Sequence, residues 1–104
     1  VVELREKMQA GLPVIDVREQ DEWDAGHIDG VYHIPMNTVN LDTATKFSGA
    51  ECLIICRSGG RSNAVAELLI KWGANAANVE GGMQAWALEG FEIVDSAGSP
   101  GQVV

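Results

Sequence analysis

Short apolar runs alternate along the chain with segments of helical periodicity. The clearest strand spans residues 52–56, which are apolar at every position and are therefore expected to be covered on both faces. The clearest helix spans 63–72, where apolar side chains recur at i, i+3, i+4 and i+7. Further strands are predicted at 13–17, 31–34, 77–79 and 91–94, and further helices at 2–10, 19–25 and 83–88, with a weakly patterned helix and loop over 37–48. This alternation predicts an α/β domain whose central, mainly parallel sheet of about five short strands carries helices on both faces.

Length and charge narrow the classes of function. The 104 residues suit one domain over residues 1–95, followed by a loosely ordered tail over 96–104 that is rich in Gly and Ser. The net charge of −8 argues against binding to nucleic acid or to an anionic membrane surface. No apolar run approaches the ~20 residues that span a bilayer. Because the first residue is Val1, we expect a trimmed or excised domain whose flanking segments are not seen here.

One segment joins the clearest strand to the clearest helix: Cys56-Arg57-Ser58-Gly59-Gly60-Arg61-Ser62. In a parallel sheet, ligands bind beyond the carboxyl ends of the strands, which is where this segment lies. Adjacent glycines adopt positive φ without steric cost, so the backbone N–H groups can turn inward and form an anion-binding concavity. The start of the following helix adds unpaired N–H groups, and two arginines add positive charge to an otherwise acidic chain.

These features predict that Cys56 is a nucleophile. Only the thiolate attacks, and a free thiol has a pKa of about 8.5. Lowering that pKa by about two units takes about 2.7 kcal/mol, and amide hydrogen bonds to a charged acceptor contribute about 1.5–3 kcal/mol each before desolvation opposes them. Each feature alone is ordinary, since a lone cysteine is usually a small buried hydrophobe. Their conjunction within seven residues favours a reactive site.

Several motifs follow one another over about residues 2–94: Val14-Ile15-Asp16-Val17-Arg18, Glu22 with Gly26-His27-Ile28-Asp29-Gly30, Ile34-Pro35, the loop 56–62, Val79-Glu80-Gly81-Gly82 and Trp86. In this combination the chain resembles the rhodanese family of sulfurtransferases. Its length matches the single-domain members or one detached domain of a larger protein. The resemblance implies the family's α/β fold and the acceptance of a sulfane sulfur by Cys56.

The implied reaction has two steps and needs neither cofactor nor metal. Cys56 takes the outer sulfur of a donor such as thiosulfate or a persulfide, and the resulting enzyme persulfide passes it to cyanide, a small thiol or a protein thiol. Arg57 and Arg61 suit the sulfonate end of the donor, and the backbone of 57–61, including Gly59 and Gly60, is expected to hold the persulfide. Ser58 and Ser62 are expected to donate hydroxyl hydrogen bonds or to cap the helix. A thiol that cycles in this way favours the reducing cytoplasm, with the periplasm left open.

Residues outside the loop are interpreted as structural. Asp16 and Arg18 are expected to form an ion pair or hydrogen bonds that fix the loop, with contact to substrate as the weaker alternative. Glu22 and His27 are expected to hold the turn around Gly26 and Gly30. The Gly81-Gly82 pair is typical of a tight turn, with a second anion site as the weaker interpretation. Cys52 lies four residues before Cys56, which on a strand is about 13 Å, so the two thiols are too far apart for a disulfide or a shared zinc ion.

Two other functions are compatible with the residues. Cysteine-dependent phosphatases and arsenate reductases also place a cysteine and an arginine around an anion-binding loop. Four residues separate Cys56 from Arg61 here, whereas those phosphatases have five, and the shorter loop predicts a ring of amides too narrow for a tetrahedral phosphate. The second alternative is a non-enzymatic binding or regulatory module of the same fold, which the intact cysteine, arginines and glycines disfavour.

Overall fold

The computed structural model describes residues 1–104. Helices and strands alternate in the order α1 (Val2–Gln9), β1 (Val14–Asp16), α2 (Gln20–Ala25), β2 (Tyr32–His33), a 3-10 turn (Met36–Thr38), α3 (Leu41–Lys46), β3 (Glu51–Ile55), α4 (Gly60–Lys71), β4 (Asn75–Asn78) and α5 (Gly82–Leu88). The predicted alternation of strands and helices is confirmed.

The four strands form one parallel sheet in the order β2-β1-β3-β4. Asp16 at the end of β1 is in register with Ile55 at the end of β3, and the N–H of Val17 donates to the carbonyl of Ile55 over 3.0 Å. The carboxyl ends of β1 and β3 therefore lie side by side. Residues that follow these two strands meet at one edge of the sheet.

Alternate side chains of β3 pack into two separate cores. Cys52, Ile54 and Cys56 share a cluster with Val65 and Leu69 of α4. On the opposite face, Leu53 and Ile55 share a cluster with buried residues of α1 and α5, namely Leu4, Met83 and Trp86. Helices thus cover both faces of the sheet, as the uninterrupted apolar run of β3 predicts.

Helix α4 begins three residues earlier than the apolar periodicity predicts. Gly59, with φ of 112°, is the residue before the first turn, so Gly60, Arg61 and Ser62 already belong to the helix. The periodicity starts later because these three residues are not apolar. This early start brings the polar side chains of the first turn close to the end of β3.

The strand predicted at 91–94 does not join the sheet. Val94 forms isolated antiparallel bridges with His27 and Pro100, while Phe91 packs edge-on against Trp86 with ring centroids 4.8 Å apart. The apolar side chains of this segment are satisfied by packing on the second core, not by pairing at a sheet edge. The sheet accordingly has four strands, close to the predicted number of about five.

Residues beyond 95 return to the body of the domain. The N–H of Gln102 donates to the carbonyl of Ala25 over 2.9 Å, and the N–H of Gly101 donates to Ile93 over 2.9 Å. The division into a domain over 1–95 and a loosely ordered tail over 96–104 stays a prediction. None of the helices has the length and apolar character needed to cross a bilayer.

Candidate active site

Cys56 directly follows β3 and is placed at the edge where β1 and β3 end. Its residue surface is 1 % exposed, and its side chain belongs to the core cluster that α4 covers. The sulfur is nevertheless not surrounded by hydrocarbon alone. The N–H of Gly59 donates to Sγ over 3.1 Å, and the hydroxyl of Ser62 lies 3.2 Å from the same atom.

The loop backbone turns toward the sulfur because Gly59 adopts a left-handed conformation. Burial raises the pKa of the Cys56 thiol, but hydrogen bonds from the Ser62 hydroxyl and from the backbone groups of Ser62, Gly59 and Ser58 outweigh it and lower that pKa. Hydrogen-bond donors therefore surround the Cys56 sulfur and form what we call the cradle. Its donors come from the turn and from the first helical residues.

Ser62 is completely buried and has two partners for one hydroxyl proton. Its Oγ lies 3.2 Å from the Cys56 sulfur and 2.5 Å from Oδ1 of Asn78 at the end of β4. One proton serves one acceptor at a time, so the thiolate and the Asn78 carbonyl compete for it. Of the two roles predicted for Ser62, the structure shows the contact with sulfur, and α4 has no side-chain cap at its start. Ser58 is exposed and does not cap the helix either.

The turn before α5 holds the beginning of the loop. The N–H of Met83 donates to the carbonyl of Cys56 over 2.8 Å, and the N–H of Gln84 donates to the carbonyl of Arg57 over 2.9 Å. Gly82 has φ of 54°, and a Cβ at this position would overlap the Cys56 carbonyl oxygen. Gly81-Gly82 is therefore the tight turn predicted from the sequence, and Gly82 lets α5 approach the loop closely enough to bind it.

Both arginines of the loop are already engaged. Arg61 donates through Nη1 to Oε1 of Glu22 over 2.7 Å and through Nη2 to Oε2 over 2.8 Å. The Nε of Arg57 donates to the carbonyl of Val104 over 3.1 Å. With the amide of Gln84 turned so that its oxygen faces Arg57, that oxygen accepts from Nη1 and Nη2 at 2.8 and 3.2 Å. The role of Arg57, Arg61, Gly60 and Ser58 in binding a donor stays a prediction.

The predicted ion pair of Asp16 and Arg18 lies beneath the loop. Nη2 of Arg18 donates to Oδ2 of Asp16 over 2.8 Å and to the carbonyl of Gly26 over 2.7 Å. The backbone N–H of Arg18 donates to Oδ1 of Asp16 over 3.0 Å. Nε2–H of His33 donates to the carbonyl of Arg18 over 2.8 Å. This buried network fixes the end of β1 to the turn that follows α2.

The remaining candidates are structural in their contacts. Nδ1–H of His27 donates to the carbonyl of Trp23 over 2.7 Å, and its ring stacks on the Trp23 indole with centroids 3.7 Å apart. Cys52 is a free, buried thiol whose pKa is raised by burial. It lies in the same core cluster as Cys56, and it forms no hydrogen bond with the groups that surround the Cys56 sulfur.

The sequence does not single out Asn78 or Gln84, and it predicts that Glu22 holds the turn around Gly26 and Gly30 instead of binding Arg61. Asn78 touches Ser62, Glu22 binds Arg61, and Gln84 binds the Arg57 backbone. Asn78 lies 16 residues beyond Ser62, and Glu22 lies 39 residues before Arg61. No local pattern links positions so far apart, so only the packing of β4, α2 and α5 around the loop shows them.

Comparisons with known proteins agree with this geometry. The model of the rhodanese-like domain family matches residues 1–89. YtwF of Bacillus subtilis, which is named as a sulfurtransferase, is 42 % identical over 85 residues, covering 80 % of this chain and 82 % of that protein. The thiosulfate sulfurtransferase GlpE of Pseudomonas entomophila is 30 % identical over 77 residues, covering 73 % and 71 %. The chain spans 41 % of YrkF of Bacillus subtilis, which is named as a sulfur carrier protein and is 40 % identical over 76 residues.

Solved structures of related proteins have the same backbone fold. The rhodanese-related protein from Thermoplasma volcanium superposes with a TM-score of 0.77 at 36 % identity, covering 89 % of this chain and 92 % of that one. The extent of the family match and the identity to relatives of similar length decide the classification. The chain belongs to the rhodanese-like domain family, whose relatives include proteins named as sulfurtransferases.

Proposed function

We propose that this protein is a sulfurtransferase in which Cys56 carries a sulfane sulfur as a persulfide, taken from a donor such as thiosulfate and passed to a thiol or to cyanide. The observation that carries the proposal is the cradle around the Cys56 sulfur. A backbone N–H at 3.1 Å and a hydroxyl at 3.2 Å approach the sulfur of the residue that directly follows β3. Such donors stabilise negative charge on sulfur.

In the first step the Cys56 thiolate attacks the outer sulfur of the donor. A sulfur–sulfur bond forms at the enzyme while the donor's own sulfur–sulfur bond breaks, and its electron pair leaves with sulfite when thiosulfate is the donor. The new terminal sulfur carries the negative charge that the thiolate had before. We expect inward N–H groups of the loop to stabilise that charge without reorganisation.

In the second step an acceptor thiolate or cyanide attacks the terminal sulfur, and the Cys56 thiolate leaves. The Ser62 hydroxyl supports this departure because charge returns to the sulfur that it faces at 3.2 Å. In the persulfide state the inner sulfur is uncharged, and the same proton is free to bind Asn78. Ping-pong kinetics follow from a covalent intermediate of this kind.

A protein thiol is one of the proposed acceptors, and the name of one relative supports it. YrkF, named as a sulfur carrier protein, contains a region 40 % identical to this chain. A reducing compartment such as the cytoplasm suits the cycle, since Cys56 must return to a free thiolate after each transfer.

Mass spectrometry of the intact protein tests the proposal. After treatment with thiosulfate or with cysteine persulfide, we expect a gain of about 32 Da, the mass of one sulfur, that dithiothreitol removes. Cys56→Ser abolishes the gain. Cys52→Ser is the matched control, because it removes the other thiol of the chain and leaves the cradle untouched, and it retains the gain.

Absence of the mass gain with every sulfane donor would contradict the proposal and would favour the alternative of a non-enzymatic binding module. Hydrolysis of an aryl phosphate by the wild-type protein would instead favour the phosphatase alternative. Insertion of one residue after Gly59 tests whether the loop is too short to bind phosphate. Phosphatase activity that appears only in the insertion variant would show that loop length separates the two activities.

A further inference from the structure

A donor that carries a sulfonate group needs a guanidinium whose paired N–H donors are free. Arg61 is the loop arginine in the first turn of α4, directly before the serine that touches the sulfur. Both of its terminal nitrogens are bound to the two carboxylate oxygens of Glu22, at 2.7 and 2.8 Å. The end of the guanidinium that carries Nη1 and Nη2 is therefore used within the protein, and Nε–H has no partner there.

Glu22 is held in this position from its own helix. Its Oε1 also accepts the N–H of Glu19 over 3.1 Å, which closes the first turn of α2. The hydrogen bond from Arg61 lowers the pKa of Glu22, with burial opposing it, so the carboxylate is charged at neutral pH. The positive charge of Arg61 is thereby matched by the negative charge of a partner that the N–H of Glu19 also holds in place.

No other arginine near the loop offers a free pair of terminal nitrogens to a sulfonate. Arg57 is bound to the carbonyl of Val104 and to Gln84, and Arg18 is buried against Asp16. Glu19, which directly precedes α2, adds a second carboxylate near Arg61. A dianion that approaches Arg61 therefore meets the negative charges of Glu22 and Glu19, which weaken its attraction to the guanidinium.

We propose that Glu22 determines the class of sulfur donor, and that by occupying the Arg61 guanidinium it makes the site favour alkyl persulfides over thiosulfate. The inference rests on the proposed function, since it concerns the donor for Cys56. An alkyl persulfide carries its transferable sulfur without a sulfonate group. It therefore needs the cradle made by Gly59 and Ser62 but not a free arginine.

The chemistry balances without any further reactant. The Cys56 thiolate attacks the terminal sulfur of R–S–SH, a new sulfur–sulfur bond forms, and the donor's sulfur–sulfur bond breaks. The electron pair leaves on the R–S sulfur, which takes the proton from the transferred sulfur and departs as R–SH. Cys56 is left as the persulfide anion, and no net oxidation or reduction occurs.

The test measures single-turnover loading of Cys56 with thiosulfate and with cysteine persulfide as the two probes. In Glu22→Gln, the amide oxygen can still accept from Glu19 and from one nitrogen of Arg61, but the negative charge is gone. We expect the ratio of the thiosulfate rate to the persulfide rate to rise about tenfold. Adding Arg61→Gln to this variant should cancel the rise, because the released guanidinium is the cause.

Asp21→Asn is the matched control, since it removes one exposed charge from the same helix without touching Arg61. It should change the ratio by less than about twofold. Glu22→Met, of similar length and also uncharged, supplies the same comparison if the glutamine variant does not fold.

Two outcomes would overturn the inference: an unchanged or lower ratio in the folded Glu22 variant, or an equal rise in Asp21→Asn. Failure of the proposed function is a different result, because the wild-type protein would then be loaded by neither probe. Loading of the wild-type protein together with an unresponsive ratio would reject the donor assignment alone.

Discussion

Two arginine–carboxylate pairs lie within one small region of the molecule and differ chiefly in burial. Arg18 and Asp16 are completely buried, and the guanidinium also binds the carbonyls of Gly26 and Glu22. Arg61 and Glu22 form an equally short bidentate pair, but their side chains are 35 % and 14 % exposed. The buried pair is closed to solvent and ions, whereas the pair of Arg61 and Glu22 is open to both. Similar chemistry thus serves as a fixed support in one place and as an adjustable contact in the other.

The backbone connects the two pairs. Nη1 of Arg18 lies 3.4 Å from the carbonyl of Glu22, so the buried pair supports the residue that binds Arg61. Loss of the support should therefore affect folding, and loss of the adjustable contact should affect selectivity. Asp16→Asn and Glu22→Gln make the same chemical change, from a carboxylate to its amide, so they compare the two pairs directly.

The largest effect is expected from Asp16→Asn. It leaves the Arg18 guanidinium buried without a counter-charge, and breaking a buried pair in this way costs about 3–5 kcal/mol in the free energy of unfolding. Urea unfolding followed by tryptophan fluorescence measures the loss. The double variant Asp16→Asn/Arg18→Met removes the orphaned charge and keeps an acceptor for the residue 18 N–H, so it should recover part of the stability. A loss below about 1 kcal/mol in the single variant would refute the assignment of Asp16 as a fixed support.

Ser62→Ala is expected to reduce stability less than Asp16→Asn does and to reduce the reactivity of Cys56 more. The Ser62 hydroxyl is the strongest of the hydrogen-bonding groups that lower the pKa of Cys56, so its removal should raise that pKa. Since only the thiolate reacts, the alkylation rate of Cys56 at pH 7 should fall several-fold, and its pH midpoint should move upward. Measuring iodoacetamide labelling against pH, in a Cys52→Ser background, checks this.

Ser58→Ala is the control for the serine variant. Ser58 is exposed and its hydroxyl does not contact Sγ, so the midpoint should stay where it is in the parent protein. Equal midpoints for Ser62→Ala and the parent would show that the backbone N–H groups alone hold the thiolate.

The sequence suffices to predict what depends on neighbouring residues. The apolar run of β3, the loop after it and the reactive position of Cys56 are all local features, and the pair of Asp16 and Arg18 lies only two residues apart. The contacts of Ser62 with Asn78 and of Arg61 with Glu22 depend on how distant elements pack. The segment 91–94 shows the same limit, because apolar spacing does not distinguish a strand that pairs at an edge from one that packs on a face.

The smallest effect on stability is expected from Glu22→Gln, and it should depend on pH. Arg61 lowers the pKa of Glu22 in the folded protein, so the folded state binds a proton there less readily than the unfolded chain does. Its contribution to stability is therefore present above the ordinary glutamate pKa of about 4.3 and is lost as pH falls through the lower pKa of the folded state. Because the pair is partly exposed, we expect less than about 1 kcal/mol at neutral pH. Urea midpoints of wild type and variant should differ at pH 7 and converge in acid; a difference that persists unchanged at low pH would mean that Glu22 acts through packing and the α2 cap, and the pair would then resemble the fixed support of Asp16 and Arg18.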